Sequence, residues 1–180
     1  LGRLKRDGLI TVGKDRRILL TPSGRKAAVA IVRRHRLVER LLTDYLELDW
    51  ADCHREACLL EHAISENVEE RLFERLGRPN TCPHGNPIPV GMTIDMPVCQ
   101  ELTTVPEGKT VEIVRITEEV SEDHAMMKFL QSHKLTPGMR IILTAVSLEA
   151  NTITLRSEAD SGSELTIASN VAVALFVRSI

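Results

Sequence analysis

The nine residues "HREACLLEH" (54–62) place two histidines, two glutamates and a cysteine side by side. A helix turns ~100° per residue, so Cys58, Glu61 and His62 fall within about 100° of one another, with His54 on the same side. Upstream, "HRLVE" (35–39) sets His35 and Glu39 four residues apart, again on one helical face. Two helices that each present converging donors form the pattern of a metal centre. Imidazoles, a thiolate and carboxylates suit a first-row divalent ion such as Fe(II), Mn(II), Co(II), Ni(II) or Zn(II). The mixed, spread-out spacing is unlike a structural zinc finger.

Each residue alone has a plainer explanation. A lone helical histidine is usually a surface or satisfied core residue, a lone cysteine usually a small hydrophobe, and Glu61 one half of an ordinary ion pair. Six such residues at helical spacing favour the metal. Arg36 and Arg40 flank His35 and Glu39, either supporting the ligands from behind or simply solvated. Cys53 has no spacing partner and reads as structural. "TCPHGNPIP" (81–89) offers Cys82 and His84, but a rigid, proline-set loop is preferred there to a further metal site.

Working outward, "DWADCHREACLLEHAI" (49–64) reads as one helix. "TPSG" (21–24) opens a longer one with a capping hydroxyl and a proline in the first turn. That helix should run to about Leu48, with a break near Arg34–His35. Ser65 caps a third, "ENVEERLFERLG", with acids in its first turn and Gly77 at its end. Leu37, Leu41, Leu42, Tyr45, Leu59, Leu60, Ala63 and Leu72 are more apolar surface than three helices can cover alone, which fits either a dimer interface or a plain monomer core.

Toward the amino end, "LITV" (9–12) and "RRILLT" (16–21) flank "GKD" and predict a hairpin. "LGRLKRDGL" before it reads as the last turns of a helix, with Leu1, Leu4 and Leu9 inward. A helix followed by a basic-tipped hairpin is the tail of a winged helix. With no initiator Met, most of a helix-turn-helix is expected to precede it. Residues 1–36 hold eleven Lys and Arg against only Asp7 and Asp15, although the chain as a whole carries −2. A basic end on an acidic body fits a nucleic-acid contact, or equally a solvated basic helix that serves solubility. Arg3, Lys5, Lys14, Arg16 and Arg17 are the candidate phosphate contacts.

Toward the carboxyl end, residues 78–107 hold six of the eight prolines and read as a connecting segment. "KTVEIVRIT", "MRIILTAVSL", "NTITLRSE" and "ELTIAS" then follow as short β-prone runs, with one helical piece, "EDHAMMKFLQSH". They predict a small β-barrel. The fold class expected is α+β and multidomain. Residues 1–29 are part of a winged helix, 30–90 an all-α metal-binding and dimerisation domain, 91–107 a linker and 108–180 the barrel. No run approaches the ~18 apolar residues of a membrane span. The four cysteines form no dense framework, and no signal peptide is evident, so a reduced cytoplasmic setting is expected.

"HRLVERLL" (35–42), "DWADCHREACLLEH" (49–62) and "TCPHGNPIP" (81–89) together resemble the diphtheria-toxin-repressor family of metal-dependent transcriptional regulators. "LKRDGLI" and "LLTPSGRKAA" resemble the end of that family's recognition helix, its wing and its next helix. The last 70 residues resemble its third domain, of Src-homology-3 or FeoA type. The resemblance implies two metal sites per subunit. His35, Glu39 and His54 would form the ancillary site. Cys58, Glu61 and His62 would form the primary one, completed by a ligand from the first helix, which this chain lacks. The ancillary site would also draw ligands from "SEDHAMM", where the family's Glu-x-x-Gln spacing is absent; Glu122 matches best, then Asp123 and His124. A soft thiolate at Cys58 favours Fe(II), with Mn(II) next.

The function expected is therefore a homodimeric, Fe(II)- or Mn(II)-activated repressor on a palindromic operator in double-stranded DNA, with no membrane and no small-molecule substrate. Two other classes compete. A dinuclear metalloenzyme would need a nucleophile or base left over after ligation, and none is evident. A metal-storage or chaperone protein would have little use for the basic amino end.

Overall fold

The computed structural model describes residues 1–159 and 162–180. A short helix α1 (Gly2–Arg6) leads into strands β1 (Ile10–Val12) and β2 (Ile18–Leu20), paired antiparallel with Ile10 opposite Leu20. Gly13 N donates to Arg17 O at 2.9 Å, closing the hairpin that "GKD" predicts.

Helix α2 (Pro22–Asp44) follows. The Thr21 hydroxyl accepts from Gly24 N at 3.0 Å, and Pro22 starts the first turn. Gly24 is required for packing, since a Cβ there would lie 1.8 Å from Leu9 O at the base of the hairpin. The break expected near Arg34–His35 does not occur. Residues 25–44 contain no Gly or Pro, and the fully buried Leu37 and Val38 just beyond it are held on an uninterrupted face.

Helix α3 (Cys53–Leu60) passes into a 3₁₀ turn, Glu61–Ala63, and then α4 (Glu66–Arg75). Ser65 caps α4 by accepting from Val68 N at 3.4 Å, and Gly77 leaves it at φ +76°. These helices enclose a small core of Val38, Leu42, Cys53 and Ala57.

The proline-rich segment starts as a buried strap, with residues 84–89 buried against α2 and the β domain. Three arginines on one face of α2 hold it. Arg33 Nη1 donates to Pro89 O at 2.6 Å, Arg36 Nη1 to Pro87 O, and Arg40 Nε to Thr81 O at 2.7 Å. On the other side, Asn86 Nδ2 donates to Ile116 O at 2.9 Å, and Ile116 N to His84 O at 2.8 Å. Gly85 has φ +83°, and a Cβ there would sit 2.0 Å from Val114 O.

The third domain is a six-stranded antiparallel sheet of β3 (Gln100–Glu101), β4 (Thr110–Ile116), β5 (Arg140–Ser147), β6 (Thr152–Ser157), β7 (Glu164–Ala168) and β8 (Leu175–Ser179), in the order β3-β8-β4-β5-β6-β7. Register shifts at Ile113/Arg115 and Leu143/Ala145 mark bulges, which bend strands. The sheet begins at Gln100, inside the stretch read as linker, and Leu102 and Val105 join its core. Helices α5 (Glu118–Ser121), α6 (His124–Ser132) and α7 (Ser169–Ala172) complete it. Ala51, from the loop before α3, is buried in this core with Trp50 packed on it. Among the described residues, no helix is long and apolar enough to cross a membrane.

Candidate metal centre

His35 sits on the buried face of α2, and His54 is one residue into α3. His35 Nε2 lies 3.0 Å from both Glu39 Oε1 and His54 Nδ1, and its Nδ1 lies 2.7 Å from Glu61 Oε2. Cys58 Sγ is 3.8 Å from His54 Nε2 and 4.0 Å from His35 Nδ1. One donor atom from each of His35, His54 and Cys58 fits within 4.8 Å of the others. A cavity of ≈ 300 Å³ adjoins them, lined also by Glu61 and by Glu118, Glu119 and Glu122 of the third domain.

The 3₁₀ turn alters the expected wheel. With three residues per turn, neighbours diverge by about 120°. Glu61 turns inward to His35 and is buried, while the His62 side chain is 70% exposed and meets Glu61 at 3.3 Å. His35, Glu39, His54, Cys58 and Glu61 are thus contiguous, with Glu61 joining the two groups that the resemblance separates, and His62 stands outside them.

Of the third-domain candidates, Glu122 lines the cavity and the other two lie elsewhere. Asp123 caps α6 by accepting from Met126 N at 3.0 Å, and His124 Nδ1 lies 3.4 Å from Asp52. Glu119, three residues before Glu122, was missed. An acidic run such as "EEVSED" reads as a solvated surface, and only its i, i+3 spacing hints at a shared face. A second buried group was also missed: Glu39, Cys53 and His84. His84 Nδ1 is 3.2 Å from Glu39 Oε1, and its Nε2 is 3.7 Å from Cys53 Sγ and 3.2 Å from Trp50 O. Spacing leaves Cys53 as structural and His84 as part of a rigid loop, because helix and loop meet there only in the fold.

The electrostatics favour a cation. Burial alone would push the Glu39 carboxyl up, but hydrogen bonds from His35, His54 and His84 hold it well below the usual range. Burial opposes charge on His35, yet Glu39 and Glu61 outweigh it and raise its pKa. Burial, then Glu61, Glu39 and Glu122, push the Cys58 thiol up. A neighbouring cation is what would favour the thiolate. This nitrogen, sulfur and oxygen donor set fits a first-row divalent ion.

Arg3, Lys5, Lys14, Arg16 and Arg17 are all exposed on α1 and the hairpin. Arg3 lies 3.7 Å from Asp7, and Arg17 3.2 Å from Asp15.

Residues 21–90 match the family model "Iron dependent repressor, metal binding and dimerisation domain", and residues 100–179 match the FeoA domain. The chain is 40% identical over 153 residues to the iron-dependent repressor IdeR of Mycobacterium tuberculosis, covering 78% of this chain and 66% of that protein. It is 35% identical over 166 residues to the diphtheria toxin repressor of Corynebacterium jeikeium, covering 81% and 69%. A solved manganese-dependent transcriptional repressor in complex with manganese superposes with a TM-score of 0.89 at 33% identity, over 99% of this chain and 81% of that one. The chain therefore belongs to the diphtheria toxin repressor family; of the relatives named here, IdeR is an iron-dependent repressor and the solved protein a manganese-dependent one. It spans just under two thirds of the length of the IdeR proteins it matches.

Proposed function

We propose that the protein is a metal-activated transcriptional repressor of genes of metal homeostasis, acting as a homodimer on a palindromic operator. The observation that carries this reading is the convergence of donors from α2 and α3 with carboxylates from α5 around one cavity. Fe(II) is the preferred ion, for the Cys58 thiolate and the iron-named relatives, and Mn(II) is the alternative.

Two ions per subunit are proposed. His35, Glu39 and His54 with Glu122 hold the inner one; Cys58, Glu61 and the exposed His62 hold the outer. Bound there, a divalent cation supplies a positive centre shared by donors from separate elements. His35 and Cys58 lose their protons on ligation, so uptake weakens in acid. Glu119 and Glu122 tie the third domain to α2 and α3. Arg3, Lys5, Lys14, Arg16 and Arg17 supply sequence-independent phosphate contacts. Ion and operator binding are reciprocally coupled, by about 1–3 kcal/mol in a typical case.

Anaerobic calorimetric titration with Mn(II) and Fe(II), beside His54→Ala and His62→Ala, tests the sites. Loss of a tight site in His54→Ala and of a separate weaker one in His62→Ala is expected. Absence of binding by either ion in a folded chain would sink the reading. Anisotropy of a labelled mixed-sequence duplex tests the nucleic-acid part, with affinity falling steeply as salt rises.

A further inference from the structure

We propose that Lys128 and Gln131 of α6 are positioning residues for the metal cavity, fixing the start of α3 and through it His54. The inference rests on the metal reading given above.

Four successive residues ahead of α3 are held, three by the third domain and one by the strap. Lys128 Nζ contacts the Asp49 carboxylate and lies 3.0 Å from Asp52 Oδ2. Gln131 donates to Asp49 and accepts from Ala51 N at 3.1 Å. Ala51 itself is buried in the core of the β domain. Trp50 Nε1 donates to Pro83 O at 3.1 Å, on the strap. Cys53 opens α3 at the next residue, and His54 follows.

Asp52 shows what the arrangement gives up. It occupies the N-cap position of α3, where an aspartate normally accepts from the first-turn amides, but its side chain makes no such bond. The carboxylate faces Lys128 and His124 instead. The Lys128 side chain is 40% exposed, and ion pairs that open to water add little stability. What the contact provides is position. His54 Nδ1 must stay 3.1 Å from Glu39 Oε1 and 3.0 Å from His35 Nε2. A displacement of α3 would change both distances, and none of the clamp residues is among the ligands proposed above.

The test is calorimetric titration of the full chain with Mn(II), comparing wild type, Lys128→Glu, Lys128→Arg and the charge swap Lys128→Glu/Asp49→Lys/Asp52→Asn, which inverts one partner and neutralises the other. Lys128→Glu should weaken binding at the His54 site about fivefold or more, Lys128→Arg by no more than about twofold, and the swap should recover most of the loss. Hydrogen exchange at residues 51–54 should quicken in Lys128→Glu and slow again in the swap. Unchanged affinity in Lys128→Glu, beside a wild-type chain that binds, would overturn the positioning role alone. No binding by the wild-type chain would overturn the metal reading and this role with it.

Discussion

Arg36 Nε lies 3.0 Å from Glu118 Oε1, joining residues 82 positions apart across one side of the metal cavity. The same guanidinium is buried and also donates to Pro87 O on the strap. One side chain therefore binds helix, strap and third domain together. Replacing Arg36 with Met leaves the buried Pro87 carbonyl without this donor, at a cost of about 1–3 kcal/mol. The Glu118 side chain is 47% exposed, so its carboxylate rehydrates and adds little. The urea midpoint of Arg36→Met should fall accordingly. An unchanged midpoint would mean that the three-way contact carries no net energy.

Gly85→Ala should be more damaging. Its Cβ would meet Val114 O at 2.0 Å, and the backbone holds φ at +83°. A left-handed non-glycine residue costs about 1–2 kcal/mol, and the clash adds a further amount of about 1–3 kcal/mol. Thermal denaturation measures the sum. A variant with the parental melting temperature would show that the strap shifts freely against β4.

The histidine–carboxylate cluster predicts a pH dependence with two limbs. His35 is raised above 6.5 in the fold, so its stabilisation is complete below 6.5 and is lost as pH rises through the raised value. Glu39 is lowered below 4.5, so its contribution is complete above 4.5 and is lost as pH falls through the lowered value. The metal-free chain should therefore lose stability as pH rises above 6.5 and through the raised value of His35, and His35→Gln should flatten that limb. Metal affinity runs the other way, rising with pH as protons stop competing for imidazole and thiol. A metal-free stability that climbs through neutrality would contradict the assignment.

Leu59 is 71% exposed and Leu60 42% exposed on α3, and Tyr45 and Leu46 are exposed after α2. If these faces bury against a second copy, Leu59→Glu should remove about 1.5–3 kcal/mol of association free energy. Sedimentation equilibrium should show a dimer for the parent and a raised monomer fraction for the variant, with circular dichroism unchanged. A variant that stays dimeric would move the interface elsewhere.

Helical spacing was enough to select His35, Glu39, His54, Cys58 and Glu61, because donors one turn apart share a face whatever surrounds them. His62 departs from that scheme because α3 tightens to 3₁₀ winding at Glu61, a local change that no residue type in "LLEHAI" announces. Thr21, Pro22, Ser65 and Gly77 marked helix ends through their own chemistry. β8 escaped notice because "VAVALFVRSI" is a nearly continuous apolar run, and a central strand need not alternate. Glu119 and His84 were invisible as cavity or cluster members for a different reason. Glu119 lines a cavity, and His84 meets Glu39 and Cys53, only because segments tens of residues apart come together, and spacing within one segment carries no trace of that.

The insertion of Ala51 into the β-domain core, opposite the strap seated between α2 and β4, bears on how the molecule comes apart. The stretches 21–90 and 100–179 match separate family models, yet neither closes its own interior. Removing the first would open a gap where Ala51 and Trp50 sit; removing the second would bare residues 84–89. Two modules meet here, each filling part of the other's interior, so loosening either should weaken the other and open the cavity that lies between them.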